Sequence, residues 1–190
     1  MPAMSWKLWG AAVLFIVIIA IAQPWTVRPI GWDENVQGVM TPAEQAAQIW
    51  DDRVAGATYR AIITASELGD APELISAEGV IVRLDVDSSI GQAFVDLTPG
   101  DGAEDLAVQI GPVIRGSMLR DALGLTFADF DSQMTYARVS SALNERAKLE
   151  ALSGDQRDLL NKSVRISGAA AGGDAAPRAL VPTQLQILAP

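Results

Sequence analysis

The 190-residue sequence contains no cysteine and no histidine. Without cysteine there is no disulfide, no thiolate nucleophile and no thiol to carry a lipid; without histidine there is no Ser-His-Asp triad. Zinc centres built on thiolate or imidazole are excluded too, as is the side chain that most often acts as a base near neutral pH. Basic residues are scarce: 14 Lys and Arg face 23 Asp and Glu, for a formal charge of −9. A nucleic-acid partner needs a surplus of cations against its phosphates, so the balance argues for no nucleic acid. Aromatics are only 6% of the chain, and no motif calls for a cofactor. Apolar side chains are plentiful, at 49% against 19% charged, which is the composition of a globular domain. The length suits one domain with an extension.

The extension is at the amino end. Leu8 to Ala22 (LWGAAVLFIVIIAIA) runs without a charge, and Lys7 precedes it. The run fits the apolar core of an export signal. With Trp6 and Trp25 as interfacial ends it also approaches the ~20 residues that cross a bilayer. Ala20-Ile21-Ala22 has the small-x-small form of a signal-peptidase site, with Pro24 close behind. Two readings stand, an uncleaved signal anchor and a cleaved signal, and the anchor is favoured over both cleavage and a buried core helix. Residues 1–25 are then a transmembrane anchor, 26–40 a linker, and 41–190 an exported domain. Trp25 and Trp32 suit either the headgroup level or packing on the domain's first helix.

Thr41-Pro42-Ala43-Glu44 has the form of a capped helix start. Ala46, Trp50, Val54, Ala57, Ala61, Ala65 and Leu68 recur at three- and four-residue steps, predicting a helix to about Leu68 with Gly69 as its stop. The period then changes to two. Val80, Val82, Leu84 and Val86 define one face of a strand, Ala93, Val95 and Leu97 a second, and Leu106, Val108 and Ile110 a third, ending near Pro112. Pro99 to Gly102 is a loop. A helix is predicted from Asp129 to about Leu152, with Tyr136, Val139, Leu143 and Ala147 on one stripe and Gly154 near its end. Two strands close the chain, one holding Val164 and Ile166, the other Val181, Thr183, Leu185 and Ile187 on one face. Gly168 to Pro177 (GAAAGGDAAP) reads as a flexible loop between them.

Three strands, a helix, then two strands is the element order of an OB-type barrel. The fold class is therefore α+β: a small OB-like five-stranded β-barrel with a leading helix, a helical crossover between strands three and four, and one transmembrane or signal-anchor helix in front. Such a fold assigns no function by itself.

The most individual stretch is Ile110 to Asn144. It holds Gly111-Pro112-Val113-Ile114-Arg115-Gly116, Leu119-Arg120-Asp121-Ala122, Phe127, Asp129-Phe130, Gln133, Tyr136-Ala137 and Leu143-Asn144. With Ile49-Trp50-Asp51 and Val181-Pro182, these residues resemble an uncharacterised bacterial family of predicted periplasmic lipoproteins encoded near sugar ABC transporters. The likeness covers roughly residues 40–188. The family's lipobox cysteine is absent here, and Ser132 stands where the family pattern has Asn. The apolar run in place of a lipid anchor predicts a bacterial inner-membrane, single-pass protein with its carboxy-terminal domain in the periplasm, and the resemblance implies a supporting role in carbohydrate uptake.

Arg115, Gly116, Arg120, Asp121, Asp129 and Gln133 are the candidate binding or structural-lock residues; no residue is assigned a catalytic, cofactor or metal role. An arginine fork takes a carboxylate through two parallel hydrogen bonds, so Arg115 or Arg120 pairing with Asp129 or Asp121 would fasten the crossover to the barrel. The same arginines could instead meet an anionic or sugar ligand, or a protein partner. Asp129 and Asp131 have the spacing of scattered surface acids more than of an acid/base pair.

Two functions follow. The first is a membrane-tethered, non-catalytic accessory or binding domain meeting a transporter subunit or periplasmic binding protein, which predicts an exposed apolar patch and no deep pocket. The second is a small-molecule binder or an enzyme acting on envelope carbohydrate through Asp, Glu and Arg, which predicts a concave site with shifted carboxylates. The first is favoured, and no enzymatic activity is expected.

Overall fold

In the computed structural model, which describes residues 40–98, 101–152, 156–173 and 176–189, the first element is helix α1 (Pro42–Ile49). The expected anchor, the linker up to Val39, Pro99, Gly100 and Gly154 lie outside the described residues. Among the described residues no helix is long and apolar enough to cross a membrane. Thr41 caps α1 as its sequence predicts: its Oγ1 accepts the Glu44 N–H at 3.3 Å, and the Glu44 carboxylate accepts the Thr41 N–H at 2.7 Å.

The helix then widens into a π-turn, Trp50–Val54, in which the Ala55 N–H donates to the Trp50 carbonyl at 2.9 Å. It ends there and not at Leu68. Beyond Val54 the expected stripe consists of alanines, which bury little area, and Gly56 weakens any helix. Thr58, Ile62, Ile63 and Thr64 are β-branched and favour extended backbone. They enter a short strand, β1 (Arg60–Ile62), and a 3-10 turn over Ala65–Glu67.

Strand β2 (Glu73–Asp85) is far longer than its alternating half suggested. Its inward residues are Ile75, Ala77, Gly79 and Ile81, so Val80 and Val82 are not on the core face. The register with β3 (Gln92–Asp96) pairs Ile81 with Val95 but Arg83 with Phe94, leaving Val82 as an extra residue. That bulge exchanges the faces, and Leu84 and Val86 turn inward beyond it. Ala93, Val95 and Leu97 are all buried, as expected, and so are Leu106, Val108 and Ile110 on and after β4 (Leu106–Gln109).

Helix α2 (Met118–Ala122) and a 3-10 turn over Phe127–Asp129 precede α3 (Gln133–Ala151). The long helix thus starts four residues later than Asp129, where Ser132 caps it by accepting the Thr135 N–H at 3.1 Å. Serine in place of asparagine keeps this capping role, because both side chains offer an oxygen to the first turn. Strands β5 (Ser163–Ala170) and β6 (Arg178–Ile187) follow. Gly168, Ala169 and Ala170, expected in a loop, are buried strand residues. In β6 the register jumps from Gly168–Pro182 to Ser167–Gln184, so Thr183 is bulged and the expected single face is split. Leu180 and Leu185 line the barrel, whereas Val181 points to the helices.

The sheet order is β1-β2-β3-β4-β6-β5, and a β2–β5 pairing closes the last five strands into a barrel. β4 and β6 run parallel and the other barrel pairs antiparallel, with β1 added parallel to β2 as an edge. One core fills the barrel. A second, around Trp50, Leu119, Val139, Leu143 and Val181, joins α1, α2 and α3 to the outer face of β5 and β6. Burying an aromatic or aliphatic side chain of this size stabilises by roughly 1.5–3 kcal/mol, so Trp50 alone anchors the short α1 firmly.

Candidate functional site

The crossover from β4 to α3 holds all six candidate residues, and backbone contacts determine its path. Gln109, the last residue of β4, clamps Arg115: its Oε1 accepts the Arg115 N–H at 2.8 Å and its Nε2 donates to the Arg115 carbonyl at 3.3 Å. This replaces the pairing that β4 gives up at Pro112. Gly116 follows with φ +94°, a conformation that favours glycine. Its carbonyl accepts Asn144 Nδ2 at 2.9 Å and Ser140 Oγ at 3.4 Å, both from α3. Asn144 also reaches the Ile114 carbonyl at 3.4 Å. The Lys148 ammonium donates to the Pro112 carbonyl at 3.1 Å, and the Arg53 guanidinium donates to the Leu123 carbonyl at 3.0 Å. Gln109, Arg53 and Lys148 carry no sequence signal of their own, and Asn144 enters only with Leu143 among the residues of the family resemblance. A polar residue at a helical step on the buried face, such as Asn144 one position after Leu143, was the available signal.

The candidate residues do not form one cluster. Arg120 and Asp121 pair with each other, Nε and Nη2 lying 2.8 and 2.6 Å from Oδ1. Asp121 Oδ2 also accepts the Ser117 hydroxyl at 2.7 Å. The Arg120 side chain is only 14% exposed, and its guanidinium carbon lies 3.9 Å from the Tyr136 ring centroid. Phe130 and Phe127 pack on the same ring, with centroids 5.4 and 6.2 Å away. Arg120 therefore fastens α2 to α3 through a ring, and Asp121 holds its guanidinium in place. Arg115 is exposed and its guanidinium makes no ion pair among the described residues, so its backbone alone joins the clamp. Asp129 caps its own turn, accepting the Thr126 N–H at 2.7 Å and the Thr126 hydroxyl at 3.0 Å. Those bonds, with Arg53 nearby, hold its carboxyl below the usual aspartate range. Gln133 is exposed at the start of α3. The expected pairing of an arginine with Asp129 is not made.

Elsewhere the resolved carboxylate shifts are also downward. Arg60 lowers Glu73, Arg83 lowers Glu104, and the Ile63 and Thr64 N–H groups lower Glu67. Each of these groups is ionised at neutral pH. Among the described residues no group of three or more Asp and Glu is placed to hold a metal ion.

Among the described residues a concavity of about 600 Å³ lies beside β1. Its wall is mostly apolar, with Ile62, Ile63, Val80, Leu97 and Leu188, and the Arg165–Glu78 pair, 2.8 Å apart, stands among its lining residues. Ile63 is 75% exposed there. The Glu67 carboxylate accepts the Ile63 and Thr64 N–H groups at 2.9 and 3.0 Å, and Arg60 grips Glu73 through two bonds of 2.7 and 2.6 Å. These bonds fix the end of β1 and leave the apolar side chain that follows it turned to solvent.

No curated protein matches the chain. Among solved structures, an OB-fold protein from Thermotoga maritima superimposes with a TM-score of 0.50 at 15% identity, covering 98% of this chain and 100% of that one. That likeness shows the fold, in agreement with the closed barrel. The family model described as predicted periplasmic lipoprotein (DUF2291) matches residues 72–186. It takes in the barrel from β2 onward and the whole crossover, whereas α1 and β1 precede it. The chain belongs to this family of predicted periplasmic lipoproteins.

Proposed function

We propose that this chain is a non-catalytic accessory domain, held at the periplasmic side of the inner membrane, that docks a protein partner through the groove beside β1. The partner is a subunit of a carbohydrate ABC transporter or its periplasmic binding protein. The observation that carries this reading is Ile63: a large aliphatic side chain 75% exposed at the rim of an apolar groove, just beyond an edge strand whose end is held by Glu67 and Arg60. Exposed apolar surface of this kind, rimmed by charges, marks interaction sites. The resolved carboxylate shifts are all toward the ionised form, which suits surface pairing more than general-acid chemistry. Since the sequence has no cysteine for a lipid, the Leu8–Ala22 run serves as the tether.

A photo-crosslinker at position 63 of the full-length chain, in membranes washed with alkaline carbonate, tests the proposal. The expected result is retention in the washed membrane and one dominant adduct with a transport component, lost when Leu188→Asp, at a half-buried lining position, is added with the unfolding midpoint unchanged. Release of the chain by the wash refutes the tether. Adducts that are absent, or unchanged by Leu188→Asp, refute the docking surface.

A further inference from the structure

A second cavity, of about 410 Å³, lies between the π-turn, α3 and β6, away from the groove of the proposed partner. Its walls are Trp50, Val54, Tyr59, Glu150, Thr183 and Gln184. Two backbone irregularities meet here. The π-turn opens the helix at Trp50, and the bulge in β6 displaces Thr183. Both devices sacrifice regular hydrogen bonding, and both recur beside functional sites.

The polar groups form an ordered set. Thr183 is 2% exposed, and its one hydroxyl proton goes to the Ser167 carbonyl at 3.1 Å. The Tyr59 hydroxyl, 2.9 Å from Thr183 Oγ1, must then be the donor in that contact. Its oxygen keeps its lone pairs as acceptors. Trp50 lines the cavity and is 5% exposed as a residue, yet its indole nitrogen is not sealed from solvent; among the described residues the N–H has no hydrogen-bond partner, so it stays open to an acceptor. Glu150 is paired with Arg146 at 2.9 Å, which cancels its charge, and the Arg146 guanidinium carbon lies 5.9 Å from the Trp50 ring. The Gln184 amide adds a donor and an acceptor.

We infer that this cavity is a binding site for a small, neutral, polyhydroxylated molecule. The hydroxyls of a polyol both accept, as the indole N–H can use, and donate, as the oxygens of Tyr59, Glu150 and Gln184 can use, and they bring no charge. The local charge balance favours neither an anion nor a cation. The cavity volume lies in the lower part of the range of ligand pockets. The inference does not depend on the partner groove, which shares no residue with this cavity.

The test is a titration of the full-length protein with glucose, ribose, myo-inositol and sorbitol at millimolar concentration. It is followed by calorimetry and by the indole N–H resonance of Trp50, assigned with Trp50→Phe. At least one of the four should bind saturably and move that resonance. Glu150→Ala and Gln184→Leu, both at the rim, should each weaken binding about tenfold or more, the loss expected when one or two hydrogen bonds go, with the unfolding midpoint unchanged. If none of the four moves the Trp50 resonance, or binding survives both substitutions unchanged, the site is refuted. Binding of ethanolamine or acetate in preference to the polyols would refute the ligand class.

Discussion

Arg115 and Arg120 sit five residues apart in one segment, yet the structure gives them opposite roles. Arg120 is mostly covered, paired with Asp121 and stacked on Tyr136, so Arg120→Ala removes charged hydrogen bonds and a cation–π contact. The expected loss is about 1–3 kcal/mol. Arg115→Ala removes an exposed side chain without an ion pair among the described residues and should stay within about 0.5 kcal/mol of the parent. Asn144 carries more than either. It is 4% exposed and holds the Gly116 and Ile114 carbonyls, so Asn144→Leu strands buried acceptors and should cost about 1–3 kcal/mol. Urea unfolding of the three variants checks the order. An Arg115→Ala variant destabilised as much as Arg120→Ala would mean that the exposed guanidinium has a partner in solution.

Elements were legible where one physical signal dominated. The Thr41 cap, the Ala93–Leu97 and Leu106–Ile110 faces, the Val139–Leu143–Ala147 stripe and the barrel order all follow from local rules, and all are present. The failures share one cause, because bulges and glycines break a period that sequence reading assumes to be constant. Val82 and Thr183 each shift the register by one residue, which exchanges inward and outward faces. Neither residue announces this. Gly168 was read as loop because it opens a small-residue run, but its place is a close approach of strands. A Cβ there would lie 2.2 Å from the Val181 carbonyl oxygen and 2.9 Å from the Pro182 Cα, both backbone atoms. The candidate site was legible as a segment but not as contacts. The Gln109 clamp and Asn144 depend on residues far apart in the chain. Gly168→Ala should therefore destabilise by about 1–3 kcal/mol, as overpacking does. Gly56→Ala, with nothing within 4 Å of its Cβ, should be near neutral. Equal midpoints for the two in thermal unfolding would reject the close packing of β5 on β6.

At the scale of the molecule, the missing histidines and the placement of the carboxylates determine how stability follows pH. Glu44 is lowered by the Thr41 N–H, Glu67 by that of Ile63, Glu73 by the Arg60 guanidinium, Glu104 by that of Arg83, and Asp129 by the Thr126 N–H. A carboxyl whose folded pKa lies below its unfolded value binds fewer protons when folded. Its contribution is complete above the unfolded pKa and is lost as pH falls through the folded one. Stability should therefore be nearly level between about pH 5 and 8, where no side chain of this sequence has its ordinary pKa, and should decline below about pH 4. Because Glu44, Glu67 and Asp129 are exposed and Glu73 and Glu104 only half-buried, the decline should be gradual, and high salt should reduce the part due to the Arg60–Glu73 and Arg83–Glu104 pairs. Glu73→Gln tests the assignment within this profile. It keeps an acceptor for Arg60 but cannot titrate, so the variant should be less stable than the parent at neutral pH and approach it in acid. Urea midpoints taken across the range decide the matter. A constant gap between parent and variant down to about pH 3, well into the titration range of carboxyls, would show that Glu73 acts through shape and not through its charge.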